Sequence, residues 1–140
     1  MASERTVSGT WLGQWRCDVS AGEFEINVDE PESVPGGTNL GPQPTDLLLA
    51  SVSSCFTLAL AHTARKRDLD VSDIHVDVTG TYDGPRFSKI QIDASIDCEP
   101  DQLDRLLAGA ERVCYVTNTI RGSVPLTITG VATNTNATEH

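Results

Sequence analysis

Aromatic residues make up only 5% of the 140 residues, methionine occurs once, and ten basic side chains face twenty acidic ones. The shortage of positive charge leaves a formal net charge of −10. Such a field repels phosphate backbones, which argues against a nucleic-acid partner, and it favours solubility in a salty or crowded cytoplasm. The first twenty residues hold no continuous apolar h-region, so no secretory signal is read there. Long uninterrupted apolar runs are missing too. The longest, Leu47 to Ala61, is broken by Ser51, Ser53, Ser54 and Thr57, and reads as too short and too polar to span a bilayer. A soluble, cytoplasmic chain without a membrane partner is expected.

Close cysteine pairs are also absent. Cys17, Cys55, Cys98 and Cys114 form no C-x-x-C, and no nearby His or Cys supplies a zinc-ligand spacing, so neither metal nor cofactor is expected. Without an export signal, four such cysteines read as reduced thiols rather than a disulfide framework. That turns attention to reactivity.

The length suits one domain over 1–140, with 1–8 and 134–140 as loose polar tails. Two strand-like stretches, Thr10–Val19 and Glu23–Val28, flank a turn at Ala21-Gly22. In the second, Phe24, Ile26 and Val28 alternate with polar residues at the period of a half-buried strand. The Pro- and Gly-rich DEPESVPGGTNLGPQP must be a loop. Pro44 then opens a long helix, Asp46 sets negative charge in its first turn, and Arg65, Lys66 and Arg67 load its end. That helix is apolar around most of its circumference, so burial on several sides is expected.

Further on, Ile74, Val76 and Val78, then Phe87, Ile90, Ile92, Ala94 and Ile96, flank an Asp83-Gly84-Pro85 turn and read as a hairpin. Pro100 and Asp101 begin an amphipathic helix through Leu103, Leu106, Leu107, Ala110 and Val113. The stretch around Asn118 reads as irregular, and Leu126, Ile128 and Val131 make a last strand. The order predicts an α+β fold, antiparallel sheets packed on a long buried helix. One chain of this size struggles to cover such a helix, so a homodimer is expected.

Taken singly, Cys55 and Cys114 each read as small buried hydrophobes as readily as reactive thiols. They lie too far apart in sequence for spacing to bring them together. However, GPQPTDLLLASVSSCFTLAL resembles the G-P-x-P-x-[ED]-L-L-L-A-x-x-x-x-C helix of the OsmC/Ohr family. DEPESVPGGTNLGP resembles the lead-in of one OsmC branch, and AERVCYVTNTIRG is similar to the family's second cysteine motif. The likeness runs over about residues 10–133. It implies an intertwined homodimer that reduces organic hydroperoxides. Cys55 would be the attacking thiol and Cys114 its disulfide partner, with a dithiol reductant (a lipoyl protein or another cellular thiol) restoring both.

The same resemblance assigns an activating arginine from an early strand and a carboxylate at the helix start, here Arg16 and Asp46. Thr45 stands where Ohr-like sequences place glutamate, and Tyr115 replaces the usual proline after the second cysteine. Arg121 resembles a motif arginine but serves equally as a solvated turn residue. His62 reads as a core histidine rather than a base, and Cys17 and Cys98 as structural. Two rivals stand beside the peroxidase. One is an OsmC-like protein that binds a small apolar or lipid-like ligand without peroxidase activity. The other, a Cys–His hydrolase using His62 or His75, lacks any signature around Cys55.

Overall fold

The computed structural model describes residues 3–134. The tail expected over 134–140 therefore lies, apart from Asn134, outside the described residues. The chain forms two compact units, Met1–Leu48 and Leu49–His140.

The first unit holds an antiparallel sheet in the order β1 (Ser8–Gly13), β2 (Arg16–Ala21), β3 (Phe24–Val28). The single strand expected over Thr10–Val19 is in fact two. Gly13 at φ 105° and Gln14 at φ 49° fold the chain back on itself, so that Trp11 pairs with Cys17. Glutamine in a left-handed conformation is not a sequence signal for a turn, which is why the hairpin was not expected.

The Pro- and Gly-rich loop that follows is organised by buried Asp29. Its carboxylate accepts from the Glu30 N–H at 2.7 Å, the Leu40 N–H at 3.2 Å and the Thr38 hydroxyl, while its own N–H donates to the Pro42 carbonyl at 3.2 Å. Gly41 lies so close to the Asn27 carbonyl that any Cβ there would collide with backbone. Helix α1 then runs Pro44–Lys66, with proline at its first position as expected.

In the second unit α1 buries Val52, Phe56, Ala59, Leu60, Thr63 and Ala64, the spacing of one helical face. Burial on several sides is not achieved within the chain, since Leu58 is 69% exposed. At 23 residues, α1 is also long and apolar enough to cross a membrane, contrary to the expectation drawn from the shorter run. The core helix of a water-soluble protein meets the same measure.

The buried face belongs to a core shared with Val76, Ile92, Ala94 and Ile96 of β4 (Ile74–Tyr82) and β5 (Phe87–Ile96). These two strands pair antiparallel, and β6 (Leu126–Ala132) adds to β5. That last pairing is parallel, which corrects the all-antiparallel expectation. Parallel neighbours need a crossover. A 3₁₀ turn (Pro100–Gln102), α2 (Leu103–Val113) and α3 (Tyr115–Ile120) supply it. The stretch around Asn118 is thus helical rather than irregular. Its β-branched Val116, Thr117, Thr119 and Ile120 are poor helix formers, and tertiary packing of Val116 and Ile120 on the core overrides that preference.

Candidate active site

Cys55 sits on α1 three residues after Val52 and four before Ala59, at the border of the buried face. It is half-buried and packed against the core cluster that contains Cys114. Cys114 is fully buried and forms the joint between α2 and α3. Its N–H donates to the Ala110 carbonyl at 3.0 Å, closing α2, and its carbonyl accepts from the Asn118 N–H at 3.0 Å, opening α3. Between these two bonds its backbone is extended, with φ −79° and ψ 106°.

Burial pushes the Cys114 thiol above its ordinary pKa of 9.0, because a desolvated thiolate is unfavourable. The hydroxyl and N–H of Thr117 pull the other way, and the neighbouring Cys55 thiol adds to the upward push. Both thiols are free. Two cysteines remote in sequence thus stand side by side, one partly open to solvent and one sealed in the core. In chemical terms this is a pair of free thiols gathered at one core cluster.

Arg16 and Asp46 belong to the first unit. Arg16 is exposed at the start of β2, and Asp46, exposed in the first turn of α1, accepts from the Gln43 amide at 3.5 Å. Among the described residues no ion pair joins Arg16 to Asp46; the pairs present are His75–Asp77, Arg86–Asp83 and Arg121–Glu111. Arg121 is therefore held by Glu111 at 3.2 Å. His62 is exposed, not the core histidine expected, and His75 is exposed beside Asp77 at 3.0 Å.

The other thiols lie outside the pair. Cys17, half-buried in β2, donates to the Asp18 carbonyl at 3.7 Å. Cys98 is buried after β5, its pKa raised first by burial and then by Asp97, Glu99 and Asp101. That raised pKa keeps the Cys98 thiol protonated and unreactive. Among the described residues no three His, Cys, Asp or Glu side chains are grouped to hold a metal. Sequence reasoning missed Thr117, which is fully buried with its hydroxyl on the Cys114 carbonyl at 3.3 Å. A helix read over 115–120 would have put it one turn beyond Cys114.

An α+β fold that sets a cysteine of its long central helix against a second cysteine at a helix joint defines a class of dithiol protein. The OsmC-like protein family profile covers residues 37–129, and the chain belongs to that family. Over 119 residues it is 24% identical to an uncharacterized protein of Haloferax volcanii, spanning 82% of this chain and 86% of the relative. Its fold matches that of an OsmC-like protein of Mycoplasma pneumoniae with a TM-score of 0.79 at 16% identity, covering 94% of this chain and 99% of that one. An organic hydroperoxide resistance protein of Elizabethkingia anophelis matches with a TM-score of 0.74 at 23% identity, over the same shares.

Proposed function

We propose that the chain is a thiol peroxidase that reduces organic hydroperoxides in defence against oxidative stress, in the cytoplasm. The observation that carries this reading is the juxtaposition of Cys55 and Cys114 in one core cluster. In the first step the Cys55 thiolate attacks the terminal oxygen of the hydroperoxide. The O–O bond breaks, the alkoxide leaves and is protonated to the alcohol, and Cys55 becomes a sulfenic acid. Cys114 then attacks that sulfur, the S–O bond breaks, and water leaves as the disulfide forms. A dithiol reductant, a lipoyl protein or another cellular thiol, returns both residues to thiols.

Apolar core residues around the pair favour an alkyl hydroperoxide over hydrogen peroxide, because an organic tail gains from burial. Arg16 and Asp46 are assigned the activation of Cys55 within a homodimer, whose second copy covers the exposed face of α1. The organic hydroperoxide resistance protein of Elizabethkingia anophelis supports the substrate class.

That no ion pair joins Arg16 to Asp46 among the described residues favours a second reading, an OsmC-like protein that binds a small apolar or lipid-like ligand and turns nothing over. Peroxide consumption with tert-butyl or cumene hydroperoxide and a dithiol reductant separates the two. Turnover by the parent, none by Cys55→Ser, and a sulfenic acid that persists in Cys114→Ser are the expected results. A parent that consumes no peroxide while both thiols stay free leaves only the binding protein.

A further inference from the structure

Cys114 occupies the position that caps the N-terminus of α3, where an acceptor side chain ordinarily takes the N–H three residues on. That residue is Thr117. A resting thiol is a weak acceptor and makes no such cap, whereas a thiolate is a strong one. The Thr117 hydroxyl lies beside it, fully buried, and donates to the Cys114 carbonyl at 3.3 Å, the long end of a hydroxyl bond. The same carbonyl already accepts the Asn118 N–H at 3.0 Å. The hydroxyl can therefore leave it without stranding a buried acceptor.

We propose that Thr117 is a positioning residue for the resolving thiol, turning its hydroxyl from the Cys114 carbonyl to the Cys114 sulfur as that sulfur becomes a thiolate. This rests on the peroxidase reading above and specifies how its second step runs in a core that disfavours charge. When Cys114 attacks the Cys55 sulfenic acid, its proton leaves with the hydroxide as water. The transient negative sulfur then sits against two donors, the Thr117 hydroxyl and N–H, in place of solvent. The same donors stabilise Cys114 as the leaving thiolate when a reductant attacks Cys55. Among the described titratable groups, the Cys55 thiol of α1 is the one that acts on Cys114, and Glu111, on the neighbouring α2, is tied to Arg121.

Thr117→Val keeps the buried shape and removes the hydroxyl, and Thr117→Ser keeps the hydroxyl. The pH titration of the Cys114 Cβ resonance in cysteine-labelled, reduced protein reads the thiolate without any turnover. Its midpoint is expected to rise by about one pH unit in Thr117→Val and to stay at the parent's value in Thr117→Ser. After one equivalent of tert-butyl hydroperoxide, Cys55 is oxidised at the parent's rate. Disulfide formation in Thr117→Val slows about threefold, the tenfold loss of thiolate being partly offset by greater nucleophilicity. An unchanged midpoint in a folded Thr117→Val protein overturns the proposal, as does an equal rise in Thr117→Ser, which would assign the effect to packing. Failure of the peroxidase reading shows itself separately, as Cys55 that remains a thiol in the parent under peroxide.

Discussion

Gly109 of α2 lies so close to Thr63 of α1 that a Cβ on the glycine would overlap the threonine methyl. Both residues are buried, and the Thr63 hydroxyl donates to the Ala59 carbonyl at 2.8 Å, which fixes the methyl toward the glycine. The contact sets how near α2 comes to α1, and α2 ends at the joint that holds Cys114.

Gly109→Ala therefore forces the two helices apart. Overpacking of this kind costs about 1–3 kcal/mol, and urea denaturation should show it. The relief must come from Thr63: Gly109→Ala combined with Thr63→Ala is expected to lose less than the sum of the single changes, by about 0.5 kcal/mol or more. Strict additivity of the two would mean that the helices adjust elsewhere and the contact does not control their approach.

Tyr115→Pro should be tolerated, although it alters the residue next to a buried thiol. Position 115 is the first of α3, where the N–H has no helical partner and proline's fixed φ suits the helix. Cys114, at φ −79° and ψ 106°, already has the extended backbone required before a proline. The substitution is expected to raise stability by about 0.4–1 kcal/mol through the unfolded chain. A fall in the thermal midpoint of more than a degree or two would show that the 84% exposed tyrosine ring does something the chain alone does not reveal.

Leu58 is 69% exposed on the side of α1 away from the core, so it contributes little to the packing of its own chain. If a second copy covers that side, Leu58→Glu places a charge in an apolar interface. Sedimentation or light scattering should then find the parent dimeric and the variant monomeric, with helix content retained. A parent that is monomeric at micromolar concentration removes the homodimer from the proposal.

Much of this arrangement was legible in the chain, and the exceptions share a cause. Pro44, Asp46 and the basic run at 65–67 marked α1, and alternation marked β4 and β5, because caps and periodicity are local signals. The parallel placement of β6 was not legible, since Leu126 and Ile128 alternate in the same way whichever direction the neighbour runs. The turn at Gly13-Gln14 and the helix at 115–120 run against local preference and depend on what surrounds them. The likeness of two cysteine motifs suggested that Cys55 and Cys114 belong together. Their contact in space, and the Thr117 hydroxyl beside it, came only from the packing of α2 and α3 on α1.

Asp29 offers a test of the first unit by pH alone. The Thr38 hydroxyl above all, with the Leu40, Glu30 and Thr38 N–H groups, holds its carboxyl at about 2, against an ordinary 3.8, although burial acts in the opposite direction. A pKa depressed by folding stabilises the native state above the unfolded value, and that contribution is lost as pH falls through the folded one. The window for Asp29 therefore runs from about pH 4 down to about pH 2. Asp29→Asn removes the charge and offers an amide N–H₂ where an acceptor is required, so its thermal midpoint at neutral pH should be lower than the parent's. The gap should then narrow as both proteins are taken through that window, because only the parent has this contribution to lose. Other carboxylates titrate in parent and variant alike, so the difference between them isolates Asp29. A gap of constant size from neutral pH to pH 2 would mean that the charge on Asp29 contributes nothing to the loop it organises.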